Sequence, residues 1–241
     1  MTAPYRTIPL HDDSTAAATY VNAVLFNGQA NDQGRDKKLA FSLDLSRSHN
    51  FGNFQAHYGL GGTVGRYKVA TYDSIGNSSS VNYQSINRKA GNYFFGGAGV
   101  DGGINFVLPS ARSEWRVLGV ETSLRQEFGK YADFRKNLPD SVATLVIRDR
   151  SFGTAGIYTE LLGYVDESVI GVKMAYGTVL GSDYQNHDDI PYYTSTRGLR
   201  FRYFNLAFHY TNDRFTGYLQ LGVSAKAEHV FAGVNYRLGK R

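Results

Sequence analysis

The sequence contains no cysteine, only five prolines and no apolar run of about 18 residues. The absence of cysteine excludes disulfide bonds and is compatible with an oxidising envelope compartment. A membrane-spanning helix needs about 20 consecutive apolar residues, so a helical membrane protein is excluded. No proline- or serine-rich linker divides the chain, and 241 residues suit one all-β domain.

Charge and histidine patterns indicate neither a nucleic-acid site nor a metal site. The net charge of +5 comes from basic residues scattered among acidic ones, so we expect no nucleic-acid partner. No glycine-rich phosphate loop precedes a helix, and the histidines lack metal-ligand spacing. Besides His209, the histidines are His11, His49, His57, His187 and His229. We therefore expect no metal and no cofactor.

Regular alternation of apolar and polar residues is what the sequence does contain. Between Lys38 and Ser48, four apolar residues fall on one face of a strand: Leu39, Phe41, Leu43 and Leu45. Ten such stretches predict strands at 16–27, 36–48, 52–69, 91–108, 114–128, 147–165, 168–180, 198–211, 214–225 and 227–239.

The connections between these stretches are long and short in turn. The long ones are 28–35, 70–90, 129–146 and 181–197, and the tight ones are His49–Phe51, Pro109–Ser113, Asp166–Glu167 and Asn212–Asp213. Only the ninth, at Ala225 and Lys226, breaks the rule by being short. This pattern predicts an all-β fold, a closed antiparallel up-and-down transmembrane β-barrel of about ten strands. Eight strands remain the alternative, because the first and sixth stretches are the least regular. We expect a polar N-terminal segment at 1–14 and one barrel domain at 15–241.

The inward face of the barrel is indicated by its polar and small residues. In the fourth stretch, glycines alternate with Asp101 and Asn105 opposite an apolar face. Buried charges must be paired, so we predict an interior charge lattice of Asp101, Arg116, Glu121, Arg125, Glu160 and Lys173. Glycines on the inner face raise the alternative of a narrow water path. Aromatic residues near strand ends predict two interface girdles, with Phe54, Phe106, Trp115, Tyr210, Phe215 and Tyr236 at the turn side and Phe26, Tyr67, Phe94 and Phe128 at the loop side.

The whole chain resembles small outer-membrane β-barrel proteins of Gram-negative bacteria. The closing string His229-Val-Phe-Ala-Gly-Val-Asn-Tyr-Arg-Leu-Gly-Lys is most similar to barrels of the Bacteroidota. The opening Thr2-Ala-Pro-Tyr-Arg-Thr-Ile-Pro-Leu resembles barrel-forming lipoproteins of that phylum, in which a lipidated cysteine would precede Thr2. The resemblance implies an outer-membrane location and contact with outer-membrane lipid and lipopolysaccharide. No signal peptide is visible at Met1, and we interpret the chain as a mature form.

Four hypotheses of function follow from the sequence pattern and the resemblance. We favour a non-enzymatic structural or interaction subunit that docks a larger outer-membrane complex through its barrel wall or extracellular loops. The predicted loops offer aromatic contact residues, namely Tyr72, Tyr83, Tyr131, Phe134, Tyr184, Tyr192 and Tyr193. A narrow pore for small solutes is one alternative, and a soluble lipocalin-like carrier of lipophiles is another. A lipid-modifying enzyme is the third, because His209-Tyr-Thr-Asn212 is similar to the His-x-Ser-Asn string of a deacylase family.

Overall fold

The computed structural model describes residues 17–30, 36–70, 89–138, 149–181, 202–224 and 227–239. Ten strands and one short helix make up this part of the chain. The strands are β1 (Ala17–Ala30), β2 (Lys37–Phe51), β3 (Phe54–Val69), β4 (Gly91–Ser110), β5 (Ser113–Phe128), β6 (Ser151–Val165), β7 (Ser168–Leu180), β8 (Arg202–Asn212), β9 (Phe215–Ser224) and β10 (Ala227–Leu238), and the helix α1 (Lys130–Lys136) follows β5. No helix of the described residues is long and apolar enough to cross a membrane.

The strands form one closed antiparallel barrel in which each strand pairs with its neighbours in the sequence, and β1 pairs with β10. The closed ten-strand fold predicted from the sequence is therefore confirmed. Two-residue turns join β2 to β3, β4 to β5, β6 to β7 and β8 to β9 at one end of the barrel, which we call the turn end. Gly52, Asp166 and Asp213 begin three of these turns with positive φ angles of 64°, 52° and 50°. Positive φ is typical of two-residue hairpin turns and favours Gly or Asp. The longer connections lie at the opposite end, the loop end.

The apolar residues of the alternating pattern point outward. Leu39, Phe41, Leu43 and Leu45 are each between 45% and 55% exposed, whereas the polar residues between them face the lumen. A soluble lipid carrier would turn this apolar face inward, so the lipocalin-like alternative is wrong for this barrel. Because the outer wall is apolar and the closed sheet leaves no edge unpaired, the barrel suits a lipid bilayer as its solvent.

A β-bulge in β5 reverses the alternation halfway along the strand. Val107 of β4 pairs with Arg116, but the preceding residue Phe106 pairs with Leu118, so Val117 has no direct partner on β4. The inward positions are therefore even-numbered before the bulge, at Glu114 and Arg116, and odd-numbered after it. An extra residue in one strand has this effect because side chains alternate with a period of two.

Two details of the sequence prediction need correction. The first tight turn is Gly52–Asn53, since β2 continues through Phe51. Phe26 is 5% exposed and packs in the lumen with Phe231, and Tyr67 also faces inward, so neither belongs to an outer girdle. At the turn end, outward aromatic pairs do occur, with ring centroids 5.4 Å apart for Phe54 and Phe106 and 4.8 Å apart for Phe215 and Tyr236.

Candidate functional site

A buried ion-pair cluster lies in the lumen, on the inward faces of β5 and β6. The Arg116 guanidinium donates through Nε to Glu114 Oε1 at 3.0 Å and through Nη1 to Glu160 Oε2 at 2.5 Å. All three side chains are at most 1% exposed. The bulge in β5 places Glu114 and Arg116 on this inward face, and the direct pairing of Arg116 with Glu160 across β5 and β6 brings the opposite charges together. One arginine thus neutralises two buried carboxylates in part, as buried charges require.

Neutral polar groups extend this cluster around the lumen. Gln55 Nε2 donates to Glu114 Oε1 at 3.3 Å, and Asn105 Nδ2 donates to Gln55 Oε1 at 3.1 Å. Tyr158 OH then donates to Asn105 Oδ1 at 3.0 Å. On the other side, His209 Nε2 lies 3.0 Å from Glu160 Oε1. The network therefore joins β3, β4, β5, β6 and β8 through side chains inside the barrel.

A second ion pair lies beside this network. Lys173 Nζ on β7 donates to Glu121 Oε2 on β5 at 2.6 Å and lies 3.9 Å from the centre of the Tyr158 ring. The Tyr158 side chain thus contacts Lys173 through its ring and Asn105 through its hydroxyl. This ion pair crosses over β6, because β5 and β7 are not neighbours in the sheet.

The six residues of the predicted charge lattice all occupy inward positions, and four of them form two ion pairs. Arg116 pairs with Glu160, and Glu121 pairs with Lys173. Asp101 is half-buried on β4, and the stem of the buried Arg125 on β5 packs against Gly99. Glu114 is absent from the predicted lattice, although it shares the inward parity of Arg116 before the bulge. His209 was considered only for the similarity of its string to a deacylase family, whereas it is 6% exposed and contacts Glu160.

Aromatic rings fill the space beside inward-facing glycines. A Cβ atom added to Gly119 would collide with the ring of Tyr158, one added to Gly177 with the ring of Tyr203, and one added to Gly233 with the ring of Tyr218. In each case the ring comes from the neighbouring strand. Tyrosine side chains therefore occupy the volume beside these three glycines.

Helix α1 packs into the loop end of the barrel. The Tyr131 ring stacks on Tyr67 with centroids 4.0 Å apart, and Phe134 stacks on Tyr93 at 4.6 Å. Arg135 forms an ion pair with Glu127 of β5. Below the helix lies an apolar layer that joins strands from opposite sides of the barrel, with Phe95 from β4 and Tyr218 from β9 in one cluster. Tyr131 packs against this layer as well.

The inward packing of α1 changes the interpretation of two predicted contact residues. Phe134 is 8% exposed and Tyr131 is half-buried, so neither is free to contact a partner as an exposed anchor. Burial of Tyr131 raises the pKa of its phenol to about 12, because the ionised form would lose its hydration. The other predicted loop contacts, Tyr72, Tyr83, Tyr184, Tyr192 and Tyr193, lie outside the described residues.

The deacylase-like string offers no assembled nucleophile. The Thr211 hydroxyl forms a hydrogen bond of 2.8 Å with Thr216, while His209 contacts Glu160. A threonine nucleophile needs a base positioned against its hydroxyl. The contacts of these two residues fit strand packing near the turn between β8 and β9.

No protein-family model matches the sequence, and no curated protein matches it. Among solved structures, the chain is similar to the beta domain of the Bordetella autotransporter BrkA, with a TM-score of 0.47, 10% identity, and coverage of 93% of this chain and 100% of that one. It is also similar to the translocator domain of autotransporter NalP from Neisseria meningitidis, with a TM-score of 0.41, 12% identity, and coverage of 94% and 90%. For Neisserial surface protein A the TM-score is 0.37 and the identity 10%, with coverage of 93% and 98%.

Proposed function

We propose that this chain is a bacterial outer-membrane β-barrel that acts as a structural or interaction subunit, without catalytic activity. The outer wall supports the membrane location. On β2, the outward residues Lys37 and Arg47 bracket the apolar run from Leu39 to Leu45. The two residues are ten positions apart on the strand, and a rise of about 3.3 Å per residue at a tilt of about 40° gives a height of roughly 25 Å. This is about the height of the apolar band in transmembrane barrels.

The packed lumen is the observation that carries the proposed role. Ion pairs and hydrogen bonds connect five strands inside the barrel. An apolar layer with α1 above it packs the loop-end half. Barrels of this size have interiors that side chains can fill, and here large side chains do so. Open diffusion of solutes through the lumen is therefore disfavoured, and we expect the outer wall and the loops to carry the function.

Single-channel recording tests this proposal. Folding of the protein is verified by faster migration of the unboiled sample on a gel, and the refolded protein is inserted into planar bilayers. We expect no stable conductance steps from the wild-type barrel. A variant with Tyr131→Ala and Phe134→Ala, which loosens the contacts of α1, serves to show how far the helix contributes to closure. Reproducible steps from the wild-type protein would overturn the proposal in favour of the narrow-pore alternative.

Partner docking requires a second experiment in cells. A photo-crosslinking residue is placed at Val100, which is 55% exposed on the wall, or at Lys89, which is exposed at the loop end. We expect a discrete protein adduct from at least one position, which would identify the docking surface. Lipid adducts alone from both positions would contradict a role as an interaction subunit. We further propose, from the closing string at His229, that the chain belongs with barrels of the Bacteroidota.

A further inference from the structure

Three basic side chains stand together on the outer wall at the loop end of β2 and β3. They are Lys37, Arg66 and Lys68, and all three are exposed. Lys37 pairs directly with Lys68 in the strand register, and Leu39 pairs with Arg66. Directly opposed residues have Cβ atoms about 5 Å apart, and diagonal neighbours such as Lys37 and Arg66 about 7–8 Å. We call these three residues the basic patch.

The basic patch has no carboxylate partner among the described residues. Lys37 is flanked on β1 by Gln29, and Lys68 is flanked on β4 by Asn92, both of them neutral. Continuing across the sheet from Lys37 through Gln29, the first carboxylate is that of Glu228 on β10, two strands away from Lys37. Like charges directly opposite one another destabilise a strand pair. The pairing of Lys37 with Lys68 therefore has an electrostatic cost that a bound anion would remove.

The position of the patch indicates the kind of anion. Immediately below it, the wall becomes apolar at Leu39, Phe41 and Val64, and Phe94 lies beside Arg66. The cations thus stand where the hydrocarbon region ends and lipid headgroups begin. In outer-membrane barrels the longer loops face the cell exterior, so the loop end meets the outer leaflet.

We propose that the basic patch binds the phosphate groups of a phosphorylated glycolipid in the outer leaflet. This inference rests on the outer-membrane location proposed above. Arginine and lysine are the side chains that bind phosphate through charge-assisted hydrogen bonds. Gln29 and Asn92 add side-chain amides that can donate to sugar or phosphate oxygens. The wall differs along β5 to β10, where the described outward strand residues nearest the loop end include one cation, Arg202. Its guanidinium donates to Tyr176 OH at 3.1 Å.

Lipid binding in mixed detergent micelles tests the patch. The probe is fluorescently labelled, bis-phosphorylated lipid A, and its anisotropy is followed as the refolded full-length protein is titrated. Removing one surface cation weakens binding to an anionic lipid by about fivefold, so the triple variant Lys37→Gln, Arg66→Gln, Lys68→Gln should lose on the order of 100-fold. Arg202→Gln is the matched control, and we expect it to change binding by less than about twofold. Dephosphorylated lipid A should compete poorly.

Several results would overturn the inference. One is equal binding by the triple variant and the wild-type protein, and another is competition by phosphatidylglycerol as effective as that of unlabelled lipid A. If the triple variant does not refold, Lys37→Gln and Lys68→Gln are measured singly, and each should still lose about fivefold. Membrane fractionation separates the two proposals. Wild-type protein absent from the outer membrane contradicts the proposed function as well, whereas wild-type protein present there without selective lipid binding contradicts the basic patch alone.

Discussion

Replacing Arg116 by glutamine should destabilise the barrel strongly. Arg116 contacts both Glu114 and Glu160, and all three side chains are at most 1% exposed. The substitution leaves two buried carboxylates without their cation, and breaking a buried pair in this way costs about 3–5 kcal/mol. The matched control is Arg150→Gln. Arg150 pairs with Asp133 at 2.5 Å, but these side chains are 37% and 57% exposed, so its loss should cost at most about 1 kcal/mol.

The assay is urea unfolding of the refolded protein in detergent micelles. Trp115 is the one tryptophan of the chain and lies between Glu114 and Arg116, so its fluorescence reports on this part of the wall. Gel mobility of unboiled samples gives a second measure of the closed barrel. The double variant Arg116→Gln, Glu160→Gln should be less destabilised than the sum of the two single variants, with a coupling free energy of about 0.5–3 kcal/mol. A urea midpoint for Arg116→Gln equal to that of Arg150→Gln would contradict this prediction, because the buried ion pairs of Arg116 would then contribute no more stability than a surface pair.

Three further predictions concern packing and protonation. Because the pKa of Tyr131 is raised to about 12, the docking of α1 should be fully stable below pH 10 and should weaken as the pH rises toward 12. Absorbance of tyrosinate should show this transition. The variant Tyr131→Phe should abolish that part of the pH dependence. Gly233→Ala should cost about 1–3 kcal/mol in urea unfolding, because the new methyl group collides with the Tyr218 ring, whereas Gly217→Ala, with nothing within 4 Å, should be nearly neutral. Deletion of Val117 should prevent refolding, because β5 would then alternate without interruption and turn Glu114 and Arg116 toward lipid. A faster-migrating band of the unboiled protein on a gel would contradict this prediction.

The barrel could be predicted from the sequence because every strand of a transmembrane barrel meets two different solvents. Lipid on one side and a polar lumen on the other impose a period of two, and β2, β9 and β10 follow it without interruption. The alternation of short and long connections then set the topology. Strand ends were less accurate, because Phe51 and Gly52 can continue a strand or begin a turn, and the hairpin geometry decides between them.

The contacts in the lumen were harder to predict, because alternation predicts which residues face inward but not which other side chains they contact. Phe26 and Tyr67 were assigned to a girdle since aromatic residues near strand ends suit either face. Strand alternation places both residues inside the barrel, where they pack against Phe231 and Tyr131 from distant parts of the sequence. The inward direction of Tyr131 and Phe134 likewise depends on a helix that folds back into the barrel.

The choice of ion-pair partners depends on the bulge in β5. Without it, Arg116 and Glu121 could not both face the lumen, because five positions separate them and an odd spacing puts side chains on opposite faces. With Val117 inserted, Arg116 reaches Glu160 on the neighbouring strand while Glu121 reaches over β6 to Lys173. Glu160 and Glu121 therefore pair with different cations. The two ion pairs are linked by Tyr158, which contacts Lys173 and the Asn105–Gln55–Glu114 chain. A single extra residue thus places both ion pairs in the same lumen.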